Sequence, residues 1–118
     1  MKIAIIGSRS FTDFDLVRRT VDLTGVTEII SGGARGADAL AERLAIEHDI
    51  KLTVYPADWK NLGFKAGHIR NSLIVDAADV IIAYWDGSST GTLDSIKKAR
   101  KAGKPCIVHE YTRPTLEC

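Results

Sequence analysis

Cysteine is scarce: Cys106 and Cys118 are the only two. Their spacing fits neither a metal-ligand pattern nor a disulfide framework, so reduced thiols in a cytoplasmic protein are expected, with no metal and no cofactor. Long apolar runs are missing, and nothing approaches the roughly 20 residues that cross a bilayer, so a membrane partner is not expected. The opening Met1-Lys2-Ile3-Ala4-Ile5-Ile6-Gly7 is interrupted too soon to read as a signal peptide. Charge of one sign is missing as well. Sixteen basic and 15 acidic residues leave a net charge of +1, so any nucleic-acid binding must come from a local patch rather than a broad field. There is no internal repeat, no low-complexity segment and no evident nucleophile–base pair.

What remains is ordinary globular composition, 45% apolar and 26% charged over 118 residues. That length predicts one domain over residues 1–118, with 109–118 as a flexible tail. Short apolar runs at Ile3–Ile6, Glu28–Ser31, Leu52–Tyr55, Val80–Tyr84 and Ile107–Val108 read as buried strands. Between them lie helical patterns. The first follows an N-cap at Thr12 and carries Leu16, Val17, Thr20, Val21 and Leu23 on one face, with Gly25 as its terminator. The second covers about Gly36–His48, with Ala37, Leu40, Ala41, Leu44 and Ala45 inward. The third covers about Ala66–Ala77, with Ile69, Leu73, Ile74 and Ala77 inward. The fourth covers about Thr92–Ala102, with Leu93, Ile96 and Ala99 inward and Lys97, Lys98, Arg100 and Lys101 solvated. Strict alternation predicts a three-layer α/β fold: a five-stranded parallel sheet, order 3-2-1-4-5, with helices on both faces.

Alternation also places every strand-to-helix loop on one edge of the sheet, beside the switch between the first and fourth strands. The candidate ligand-binding residues are the ones those loops carry: Gly7, Ser8, Arg9, Ser31, Gly32, Gly33, Arg35, Gly36, Asp38, Trp59, His68, Arg70, Ser88, Ser89, Thr90, Gly91 and Thr92. Ser31–Asp38 joins a strand, a glycine turn and a helix start, which suits a phosphate. Arg35 would add a charge-assisted hydrogen bond worth roughly 1.5–3 kcal/mol. The same glycines equally serve tight packing alone. Gly87–Thr92 suits phosphate or ribose oxygens, or is simply a helix capped by Thr90 or Thr92. Arg70 fits an anion. His68 braces the loop or exchanges protons. Trp59 stacks on a base or plugs the loop between Ala57 and Gly67. Asp38 faces a helix dipole or a ribose hydroxyl.

Gly7-Ser8-Arg9, Ser31–Asp38, Gly67-His68-Ile69-Arg70-Asn71 and Thr90-Gly91-Thr92 resemble, in that order, the SLOG superfamily of Rossmann-like nucleotide-binding domains. Within it they look most like the small YspA, cpYpsA-related branch of bacteria and phages. The resemblance implies a nucleotide or nucleotide-derived ligand held by a sensor or carrier. Two relatives widen that expectation. Lonely Guy enzymes cleave the N-glycosidic bond of nucleoside monophosphates. By resemblance Arg70 takes their catalytic arginine's place, whereas Ser95 stands where their catalytic Glu belongs. Asp94, or Asp38 or Asp58, would then have to steady an oxocarbenium ion. These enzymes complete their sites across dimers, which implies a homo-oligomer here. DNA-processing protein A carries a similar glycine segment and binds single-stranded DNA.

Overall fold

The computed structural model describes residues 1–112. Five strands alternate with helices: β1 Lys2–Gly7, α1 Phe14–Thr20, β2 Glu28–Ser31, α2 Ala37–Glu47, β3 Lys51–Val54, α3 Trp59–Leu62, α4 Ala66–Ala77, β4 Val80–Trp85, α5 Thr90–Lys101 and β5 Cys106–Glu110. All neighbours pair in parallel, in the order β3-β2-β1-β4-β5. Strand side chains alternate between faces, so β1 divides its own residues. Ile3 and Ile5 pack with Phe14, Val17 and Leu44 of α1 and α2. Ala4 and Ile6 pack with Ile74, Val75 and Ile96 of α4 and α5. Two cores on one sheet thus make the three layers.

Several boundaries move for local reasons. Asp13, not Thr12, caps α1, its carboxylate accepting from Leu16 N at 3.0 Å. That helix already ends at Thr20, and Val21 turns extended. The residues 57–67 are not wholly irregular: Asp58 caps the single turn α3, and a 3-10 turn, Gly63–Lys65, leads into α4. Ser89 rather than Thr90 or Thr92 caps α5. In α4 the inward face is Ala66, Asn71, Ile74 and Val75, while Ile69 and Leu73 are exposed. The helix is rolled so that polar residues of its first two turns face the sheet edge. Lys98 also leaves the solvated face: its ammonium donates to Asp94 and to the His68 carbonyl. Lys104 reaches back to cap the carboxyl end of α4, donating to the carbonyls of Val75, Asp76 and Ala78 at 2.6–2.9 Å.

Residues 109 and 110 are not part of a flexible tail. His109 and Glu110 belong to β5. The rings of Tyr111, Phe11, Tyr84 and His109 form a column, with Phe11 stacked on Tyr84 at 4.6 Å between centroids. The expectations for 113–118, Cys118 included, lie outside the described residues. No helix among the described residues is long and apolar enough to cross a membrane.

The tightest point of the fold is where β1, β4 and α2 meet. A Cβ on Gly7 would stand 2.4 Å from the Tyr84 carbonyl oxygen and 2.7 Å from Ala37 Cβ. Neither is a flexible side-chain end, so relief needs backbone movement. Gly7→Ala is expected to destabilise by about 1–3 kcal/mol in urea unfolding. Gly91→Ala, where a Cβ would meet open space, is expected to cost nothing or to stabilise by up to about 1 kcal/mol.

Candidate functional site

The loops after β1, β2, β3 and β4 do converge. They enclose a cleft of about 670 Å³ at the carboxyl ends of the strands, within the size range of small-molecule sites. Gly7, Ser8 and Arg9 line it from the first loop, Asp38 from the start of α2, Trp59 from α3. His68 and Arg70 line it from α4, and Ser88, Ser89, Thr90, Gly91 and Thr92 from the loop into α5. Asn71 and Ser95 also line it, although neither is among the candidate ligand-binding residues that the loops suggest. Asn71 follows Arg70 on the face that α4 turns inward. Only the roll of that helix distinguishes it from an ordinary surface asparagine.

Ser8 is the knot of the rim. Its amide donates to the Tyr84 carbonyl at 3.0 Å, and its own carbonyl accepts from Phe11 N and Ala37 N. Its hydroxyl accepts from Asp86 N at 3.2 Å. One residue therefore joins the first loop to α2 and to the loop after β4. Gly36 is there for the same junction. It has φ +71°, and a Cβ would stand 2.4 Å from the Ser8 carbonyl oxygen. Ser31 is buried, accepting from Gly33 N and donating to the Asp38 carbonyl. Gly36 and Ser31 shape the turn and do not line the cleft.

Part of the glycine turn's donor set is used internally. The amides of Gly33, Ala34 and Ala37 go to Ser31, Asp38 and Ser8. Asp38 accepts from Ala34 N at 3.1 Å with Oδ2. Burial pushes its carboxyl above the ordinary carboxylate value, and the Ala34 amide and Arg70 guanidinium oppose that without cancelling it. Arg70 is held in place by two bonds, Nη1 to the Gly32 carbonyl at 2.9 Å and Nε to Asn71 Oδ1 at 3.0 Å. A Cβ on Gly32 would stand 2.5 Å from that Nη1 and 2.9 Å from Asp38 Oδ2. Gly32 is therefore needed for the close approach of a cation and an anion to one backbone segment.

On the opposite wall Asp86 braces the second loop. Its Oδ1 accepts from Ser89 N at 2.7 Å and Ser88 N at 2.9 Å. Burial would raise this carboxyl, but those amides and the hydroxyls of Ser88 and Ser8 leave it below the ordinary value. Ser89 accepts from Thr92 N through its hydroxyl. Thr90 and Gly91 are the first two residues of α5, whose amides have no acceptor within a helix.

Asp94 is not among the residues that line the cleft. It sits behind His68, its Oδ2 at 3.2 Å from His68 Nδ1. The same oxygen accepts from Asn71 Nδ2 at 3.0 Å and Lys98 Nζ at 2.7 Å. Arg35 is not in this cleft either. It lines an adjoining recess of about 440 Å³ with Arg9, Gly32, Gly33, Trp59 and Arg70. Arg35 and Arg70 thus share one recess, and Arg9, Trp59 and Arg70 belong to both hollows. Among the described residues no group of three or more His, Cys, Asp or Glu could hold a metal ion.

A family model described as the YspA, cpYpsA-related SLOG family matches residues 1–62. Gene 61 protein of Mycobacterium phage D29 is 42% identical over 85 residues, covering 67% of this chain and 68% of that protein. A solved structure of DNA processing protein A from Helicobacter pylori, described for its single-stranded DNA binding mode, superimposes with a TM-score of 0.67 at 27% identity. That match covers 92% of this chain but 64% of the other, so this chain spans less than two thirds of that neighbour.

The Asp94 cluster makes a pH-dependent contribution. Burial raises its carboxyl, but bonds from Lys98, Asn71 and His68 outweigh burial and leave it below the ordinary value of 3.8. A carboxyl depressed in the folded state adds stability above its unfolded value, and that contribution is lost as pH falls through the folded one. Asp94→Asn is expected to cost about 1 kcal/mol at neutral pH. Urea unfolding of both proteins is expected to show that gap closing below about pH 4.

Proposed function

Because the chain belongs to the YspA, cpYpsA-related SLOG family, we propose that it binds a nucleotide or phosphoribosyl-containing ligand at the carboxyl edge of its sheet, as a sensor or carrier. The observation that carries this reading is the composition of one cleft: a helix start, two arginines, a buried carboxylate and an indole line the same 670 Å³. The phosphate goes to the start of α5, at Thr90 and Gly91, with Arg9 and Arg70 beside it. The cleft is lined by the whole run Ser88–Thr92 but, of the glycine turn, by Ala34 alone, whose amide is already bonded to Asp38, which favours the second loop over the first. Asp38 takes a ribose hydroxyl. Trp59, 53% exposed and lying against Gly67, offers an indole to the base.

Single-stranded DNA is the second reading, favoured by the likeness to the Helicobacter pylori protein. Cleavage of an N-glycosidic bond has less support, since Asp94 does not line the cleft and is bonded to His68, Asn71 and Lys98, and Ser95 stands where the relatives' Glu belongs. The exposed Leu62, Ile69 and Leu73 support the further proposal of a homo-oligomer.

Arg70→Ala is expected to weaken AMP binding about tenfold or more in calorimetry, with circular dichroism checking that the fold is kept. Unchanged affinity in a folded variant would remove the assignment. Incubation of the wild type with AMP is expected to release no adenine on chromatography; release would instead establish the hydrolase.

A further inference from the structure

The recess beside the main cleft has an unusual charge. Arg9, Arg35 and Arg70 line it, and no acidic residue does. The chain as a whole is nearly neutral, with 16 basic and 15 acidic residues, so this concentration is local. Arg70 bonds to Gly32 and Asn71 and is drawn to the neighbouring buried Asp38 carboxylate. Arg9 and Arg35 have no hydrogen-bond or ion-pair partner among the described residues. Arg9 and Arg35 have no such counter-charge around these 440 Å³, and an anion there relieves their mutual repulsion. Each guanidinium carries five N–H donors in a planar fork suited to phosphate.

This recess is continuous with the cleft assigned above to a nucleotide. Arg9, Ala34, Trp59 and Arg70 line both hollows. Trp59 stands at the junction with its indole against Gly67. A ligand with one phosphate at α5 therefore has a second cationic recess adjoining its cleft.

We propose that Arg35, with Arg9 and Arg70, forms a second phosphate subsite, and that the ligand carries two phosphates separated by a nucleoside unit. This rests on the nucleotide reading of the main cleft and extends it from a mononucleotide to a dinucleotide. Trp59 then packs against the unit between the two phosphates. Arg35 selects for the second phosphate, and Arg70 contributes to both ends.

The test compares AMP with the 5′-phosphorylated dinucleotide pApA by calorimetry at fixed ionic strength, on the wild type and Arg35→Ala. Arg35 is exposed, so its truncation is expected to preserve the fold. The wild type is expected to bind pApA at least tenfold more tightly than AMP. In Arg35→Ala that preference is expected to fall to within about threefold, and Arg35→Lys is expected to restore part of it. Binding of AMP with no preference for pApA overturns the second subsite and leaves the nucleotide reading intact. A preference that survives Arg35→Ala also overturns it. Failure of both ligands to bind overturns both readings. A single-stranded 20-mer that binds more tightly than pApA, with the same Arg35 dependence, identifies the two phosphates as those of a strand. A 20-mer that binds no better than pApA identifies a free dinucleotide.

Discussion

Backbone meets backbone at Gly7-Ser8, Gly36-Ala37 and Tyr84, and the whole rim depends on that contact. The Ser8 amide and carbonyl link β1 to β4 and to the first turn of α2, while the Ser8 hydroxyl holds the loop after β4. Side chains at positions 7 and 36 would push these segments apart. Packing at this density tolerates little expansion. The same junction that closes the two cores against the sheet also sets the spacing of the loops above it.

That junction has an electrostatic consequence. Amides of the loops leading into α2 and α5 are drawn toward internal acceptors, Asp38 on one side and Asp86 on the other. A carboxylate near a helix start is the usual partner of the dipole. Capping makes the loops rigid but reduces what they offer a ligand as amide donors. The cationic share of the site is therefore carried by side chains: Arg70, positioned through Asn71 and Gly32, and Arg9 and Arg35, which have no partner among the described residues. Asn71 is the link between the two halves of α4's chemistry, since it also donates to Asp94, which stands behind His68.

Much of this was readable beforehand. Continuous apolar runs alternating with helical periodicity lead to a parallel sheet and to its order, because crossovers are right-handed and short. From there the gathering of four loops on one edge is a matter of topology. Caps were less readable, because Thr12 and Asp13, or Ser89 and Thr90, are chemically near-equivalent and the choice turns on backbone angles. The exposure of Ile69 and Leu73 was not readable at all. Their periodicity marks a core face, yet α4 is rolled to bring Arg70 and Asn71 to the rim.

Sequence alone determined which residues share an edge, since strand alternation and chain direction allow no other arrangement of those loops. Tertiary structure decided which of them face a common space. Arg35 and Arg70 lie 35 positions apart and share a recess; Asp94 comes four residues after Thr90 and is turned away behind His68. The physical reason is that loop conformation and helix roll are set by packing between distant segments, here by glycine contacts and the bonds of Ser8, and such contacts leave no periodic mark in the chain.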